Sequence, residues 1–171
     1  ERKVNKNLVE KIKQDFNFND ILSKVIVSRN YDITEINNIN NNLKLTNIFN
    51  TNSDFIKASN ILINSINKKE NICILGDYDV DGASATSLLI RYFNHIKQQY
   101  FHYIPNRETD GYGATTNLFN RLIKKKPKLV ILLDCGSTAN EAIDFLNKNN
   151  IKSIIIDHHE INKPYPKSNV I

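Results

Sequence analysis

The stretch NICILGDYDVDG, residues 71–82, sets an apolar run directly against three aspartates at alternate positions and closes on a glycine. Asp77, Asp79 and Asp81 repel one another unless something offsets their charge, and the usual partner is a cation. A calcium loop of the EF-hand type opens on the same D-x-D-x-D-G pattern. Such a loop needs a bidentate Glu six residues after the glycine and a helix on each side. Leu88 stands at the Glu position, and NICIL reads as a buried strand. The calcium-loop reading fails on both counts. What remains is a strand that ends in carboxylates and leads into a helix.

The same texture continues on the C-terminal side. NICIL (71–75), FHYIP (101–105), KLVILLD (128–134) and IKSIIID (151–157) are apolar runs with β-branched residues. Helical patterns fill the gaps, over residues 83–96, 114–125 and 140–148. Strands alternating with helices predict an α/β fold, a parallel sheet covered by helices on both faces. Before residue 70 the pattern is helical. Leu8, Ile12, Phe16, Ile21, Leu22, Val25 and Ile26 recur at three-to-four-residue spacing, and a second helix is predicted over residues 54–67. The Asn-rich stretch between them, with NNINNN at 37–42, reads as a loop or a poorly formed helix. The expected organisation is an N-terminal helical segment, 1–69, packing on an α/β domain, 70–171.

In an open parallel sheet, ligands bind at the carboxyl ends of the strands, where the chain order reverses. The first strand ends in Asp77 and Asp79, the third in Asp134-Cys135-Gly136, the fourth in Asp157-His158-His159. Three segments far apart in sequence thus deliver carboxylates and imidazoles to one sheet edge. Oxygen donors with one or two imidazoles and no thiolate suit magnesium or manganese better than structural zinc. Several carboxylates around one space favour a pair of divalent ions, and such a pair is suited to phosphoester hydrolysis. Singly, each residue has a plainer use: an Asp at a strand end also caps helices. Cys135 has no histidine placed in sequence to activate it, and reads as a small residue lining a turn.

Composition bounds the rest. The 171 residues suffice for one domain with a real core. No apolar run approaches a membrane span and no signal-peptide pattern opens the chain, so a soluble, cytoplasmic protein is expected. Two cysteines without a C-x-x-C partner fit buried thiols in a reducing compartment. A net charge of +5 is compatible with nucleic acid, but abundant Asn, Lys and Ile are also what an AT-rich genome produces. A start at Glu1 and a stop inside the apolar triplet NVI read as an excerpt.

GDYDVDGASATSLL, LLDCGS and IDHH, in this order and spacing, resemble motifs I, II and III of the DHH phosphoesterase superfamily. YIPNR at Tyr103 to Arg107, followed by DGYG at Asp110 to Gly113, narrows the resemblance to the RecJ family of single-strand-specific exonucleases. The resemblance implies that Asp77, Asp79, Asp134 and His158 ligate Mn2+ or Mg2+, two ions in the complete site. His159 would face the scissile phosphate and assist the transition state, and Asp134 and His159 would be the catalytic residues. Asp157 would orient the histidines and Asp81 hold the turn or a water. Gly82 and Gly136 would keep side chains out of the site, Arg107 clamp a phosphate, and Tyr112 stack on a base. KKKPK at 124–128 ends a helix and is explained by the helix dipole alone.

The implied activity is 5′ to 3′ degradation of single-stranded DNA in repair and recombination. Expected partners are single-stranded DNA and, among proteins, a single-strand-binding protein or a helicase; no membrane is involved and the chain is expected to be a monomer. The family pattern includes a fourth metal-ligating Asp and a second domain that this sequence does not show, so the chain alone is expected to bind metal weakly and digest poorly. Two other functions are considered. Relatives that cleave oligoribonucleotides or cyclic dinucleotides carry a His and Pro-Asp before the acidic pair, where this chain has Leu75, Gly76 and Asp77. Inactive replication-scaffold relatives show eroded motifs, and here all three are intact.

Overall fold

The computed structural model describes residues 4–40, 49 and 52–171. The chain divides into two compact units, one ending at residue 47 and one running from residue 48 onward.

The first unit contains α1 (Lys6–Phe16), α2 (Asp20–Arg29) and α3 (Ile33–Asn40). Val9, Ile12, Ile26, Val27 and Ile36 form its core, with Phe16, Phe18 and Leu22 packed against them. Asparagine does much of the capping. Asn5 and Asn19 accept N–H bonds at the starts of α1 and α2, and Asn17 and Asn30 end those helices in the left-handed conformation that asparagine tolerates. Where the sequence leaves a loop or a weak helix open, the structure shows α3, because Asp32 and Glu35 form a capping box. Asp32 Oδ1 accepts the Glu35 N–H at 2.8 Å, and Glu35 Oε2 accepts the Asp32 N–H at 2.7 Å. The remainder of the Asn-rich stretch, 41–48, lies outside the described residues.

The second unit opens with α4 (Ser53–Asn67) and continues as β1 (Ile72–Gly76), α5 (Val80–His95), β2 (Tyr100–Tyr103), α6 (Thr116–Leu122), β3 (Leu129–Leu133), α7 (Asn140–Lys148) and β4 (Lys152–Ile156). All pairings are parallel and the strand order is β2-β1-β3-β4. Successive strand residues point to opposite faces, so the apolar runs build two cores. Cys73, Leu75, Val130, Leu132 and Ile155 meet Leu118, Phe119, Leu122, Ile143 and Leu146 of α6 and α7. Ile72, Ile74, Leu129, Ile131 and Ile154 meet Phe93 of α5, with Ala58, Ile61, Leu62 and Ile66 of α4 packed alongside. The expected α/β fold is therefore present, with helices on both faces.

Some boundaries differ from expectation for identifiable reasons. The helix expected from residue 83 begins at Val80, because Asp79 is its N-cap. β2 stops at Tyr103 rather than at residue 105, where Pro105 has no N–H to give the ladder. The helix expected over 114–125 begins after its cap, Thr115, and tightens into a 3-10 turn at Ile123–Lys125. The chain leaves β1 for β2 on one side and then returns to β3 on the other. The order thus reverses between β1 and β3, at the strands that carry Asp77 and Asp134.

A candidate metal centre at the sheet edge

Asp77 follows β1 directly, and its backbone N–H bonds to the Leu133 carbonyl at 3.2 Å. Asp134 holds the equivalent place after β3, its N–H bonded to the Ile156 carbonyl at 2.8 Å. The two ladders extend one step past the strands, fixing both backbones before the chain turns away. Asp77 and Asp134 are 1% and 7% exposed. Asp79 sits where the chain enters α5, and its Oδ1 accepts the Gly82 N–H at 2.9 Å. Here the helix-cap reading and the site reading describe the same residue.

Carboxylate oxygens of Asp77, Asp79 and Asp134 lie within 4.8 Å of one another, and Asp134, His158 and His159 form a second such group. The two groups share Asp134. Its Oδ1 is 3.1 Å from His158 Nε2, while Oδ2 is buried without a protein partner. Burial pushes the Asp134 carboxyl above the usual range, and the neighbouring Asp79 pushes the same way. Asp79 itself is held low, first by the Gly82 N–H. An orphaned buried carboxylate oxygen amid further acids is what a divalent cation relieves, and an oxygen-rich set with imidazole fits magnesium or manganese.

A second layer fixes His159. Burial alone would raise Asp157, but hydrogen bonds from the His159 and Ser137 N–H groups and the His159 ring outweigh it and hold the carboxyl at about 2. The Ser137 N–H reaches Asp157 Oδ2 at 3.0 Å, and His159 Nδ1 lies 2.7 Å from Oδ1. An ionised carboxylate only accepts, so the His159 proton on that side is on Nδ1 and donates to Asp157. The same contact raises the His159 pKa. Nε2 is left facing the Tyr112 hydroxyl at 3.4 Å.

Close packing makes two glycines necessary. A Cβ on Gly82 would fall 2.6 Å from the Asp77 backbone, so α5 could not approach the end of β1. Gly136 has φ +110°, and a Cβ there would meet Leu132 Cδ2 at 2.8 Å. Cys135 is buried, its thiol pushed up to about 12 by burial, which suits packing rather than nucleophilic attack.

The sequence-derived candidates do not all converge. Asp77, Asp79, Asp134, His158 and His159 do, with Asp157 behind them. Asp81 is exposed in the first turn of α5 and belongs to neither group. Arg107 and Tyr112 line the rim: Tyr112 packs edge-on to His159 with ring centroids 6.2 Å apart, and burial pushes its hydroxyl up to about 12. Two residues whose backbone N–H groups bond carboxylates at the site, Tyr78 to Asp77 and Ser137 to Asp157, escape the sequence reading. Tyr78 lies between two aspartates with no pattern of its own, and Ser137 acts through its backbone N–H, which no side-chain pattern reports.

The profile of the DHH family, N-terminal domain, matches residues 71–171, more than half of the chain. The chain belongs to the DHH family. The chain is similar to the single-stranded-DNA-specific exonuclease RecJ of Bacillus subtilis, 32% identical over 104 residues, covering 61% of this chain and 13% of that protein. It is also similar to a putative SPbeta prophage-derived single-strand DNA-specific exonuclease of the same organism, 36% identical over 105 residues, covering 61% of this chain and 17% of that protein. A crystal structure of exonuclease RecJ bound to manganese matches with a TM-score of 0.62 at 28% identity, covering 67% of this chain and 29% of the other. RecJ in complex with Mn2+ from Thermus thermophilus shares the fold over 96% of this chain and 23% of its own, with a TM-score of 0.66 at 19% identity. The chain thus spans only a small part of these relatives. Among the described residues no helix is long and apolar enough to cross a membrane.

Proposed function

We propose that the DHH domain hydrolyses phosphodiester bonds with the help of divalent metal, acting as a 5′ to 3′ exonuclease on single-stranded DNA in repair and recombination. The observation that carries this reading is the pair of groups sharing Asp134, one of three acids and one of an acid with two imidazoles, with Asp134 Oδ2 buried without a partner. Asp77, Asp79, Asp134 and His158 would hold two manganese or magnesium ions. Such ions, when bound, supply Lewis-acid charge for activating water and for stabilising the phosphoryl transition state. The remaining work falls to the protein's own groups. Asp157 locks the His159 ring through Nδ1, which leaves Nε2, beside the Tyr112 hydroxyl, as the nitrogen that would face the scissile phosphate. Arg107 offers its planar fork to a phosphate, and Tyr112 an aromatic face to an unpaired base. Polarity and the preference for DNA come from the likeness to the RecJ exonucleases.

Manganese titration calorimetry and mononucleotide release from a single-stranded oligonucleotide test this, with wild type beside Asp134→Ala. Manganese binding and manganese-dependent release are expected, and both should be lost in the variant. Undiminished manganese binding by Asp134→Ala would refute the metal assignment. Binding without any cleavage of single strands, alongside cleavage of dinucleotides, would move the reading to an oligonucleotide phosphodiesterase.

A further inference from the structure

We infer that Tyr78 is a positioning residue for Arg107, its ring holding the guanidinium at the rim of the acidic edge so that the fork is ready for a nucleic-acid phosphate. The inference rests on the reading of Arg107 as a phosphate contact. Arg107 Cζ stands over the Tyr78 ring, 5.6 Å from its centroid, within cation–π range. Among the described residues no carboxylate forms an ion pair with Arg107. It is exposed and lies in the connection between β2 and α6, so without the ring this long side chain would have many rotamers open to it. A cation–π contact consumes no N–H donor, and the whole fork stays available.

The ring is itself well placed to define a position. Tyr78 lies between Asp77 and Asp79, and its N–H donates to Asp77 Oδ1 at 2.7 Å. Asp79, on its other side, caps α5. On the site-facing side the Tyr78 ring meets Tyr112 edge-on, centroids 6.2 Å apart at 80°. The aspartates thus hold the Tyr78 backbone and Tyr112 orients its ring, and the ring ties the position of Arg107 to the site.

The test is a double-mutant cycle on binding, read by fluorescence anisotropy with a phosphorothioate-linked oligothymidylate that resists hydrolysis, in manganese. A cation–π contact of about 0.5–1 kcal/mol corresponds to a roughly two- to five-fold weaker Kd for Tyr78→Leu. In an Arg107→Ala background the same change should cost nothing further, and Tyr78→Phe, which keeps the ring, should bind as wild type does. An equal loss from Tyr78→Leu with and without Arg107 would overturn the inference. Arg107→Ala binding as tightly as wild type would instead remove the arginine contact on which the inference rests, leaving the metal site to be judged by Asp134→Ala. A readout on the unmutated chain does not depend on any variant folding: the Arg107 side-chain protons should show an upfield ring-current shift by NMR. Unshifted Arg107 protons would also overturn it.

Discussion

Asp134 combines three costs in one residue. Its φ of 61° is left-handed, a conformation that aspartate tolerates better than most side chains but still at some strain. Its carboxylate is buried with Oδ2 unpartnered, and it sits beside Asp79. In the metal-free protein a charge at this position works against the fold, since burial disfavours the ionised form. Asp134→Asn keeps the shape and removes the charge. In chelator the variant is therefore expected to melt at or above the wild-type temperature. Manganese at about 100 times its Kd should stabilise the wild type by about 2.7 kcal/mol, roughly 5–10 °C in a domain of this size, and leave the variant unmoved. Thermal melts with and without manganese read both effects. A variant that melts far below wild type in chelator would mean that the protein alone satisfies this carboxylate.

Between β2 and α6 the chain crosses the rim that carries Arg107 and Tyr112, and Asp110 holds this connection together. Its Oδ2 accepts the Tyr103 hydroxyl at 2.7 Å and the Asn106 N–H at 2.9 Å, and Arg121 of α6 pairs with Oδ1. The Tyr103 hydrogen bond, with the Asn106 N–H and Arg121 adding to it, holds the Asp110 carboxyl below its ordinary range. A group whose pKa is lowered by folding contributes stability above its unfolded value, about 3.9, and loses it as the pH falls through the folded value. Asp110→Asn should thus cost on the order of 1–2 kcal/mol at pH 7, with Arg121 too exposed to add much. The gap between wild type and variant should narrow steadily from pH 5 toward pH 3. Urea unfolding across that range measures it, and a gap that stays constant would show that the charge on Asp110 is immaterial. What the sequence discloses at this scale depends on whether a pattern is periodic. NICIL and KLVILLD are legible as strands because β-branched runs have few other uses, and their last residues then point to the site. The start of α5 is misplaced by three residues because Asp79 serves as both cap and site residue, and a motif read for its chemistry conceals its capping. The capping box that makes α3 a helix is legible in Asp32 and Glu35, but the asparagines beside it hide it.

At the scale of the molecule, the parallel order β2-β1-β3-β4 alone brings Asp77 and Asp134 side by side. Adjacent strands in register, Gly76 opposite Leu133, end at the same height. Alternating strands and helices predict this much, and not the rim, whose contacts depend on how the loop carrying Arg107 and Tyr112 folds back. Every member of the two cores that flank the sheet comes from the unit beginning at residue 48, and so does every residue of both acid groups. The helices before residue 47 close a core of their own, around Ile26 and Ile36. A domain with its own cores and size above the usual minimum folds by itself. A chain of residues 48–171 should therefore give a dispersed NMR spectrum, melt cooperatively within a few degrees of the longer chain, and show the same manganese-induced rise. If the shorter chain melts cooperatively but loses that rise, the N-terminal helices contribute to metal binding through a contact outside both acid groups. If it does not fold at all, the two cores flanking the sheet are insufficient, and α4 is the wrong place to begin the domain.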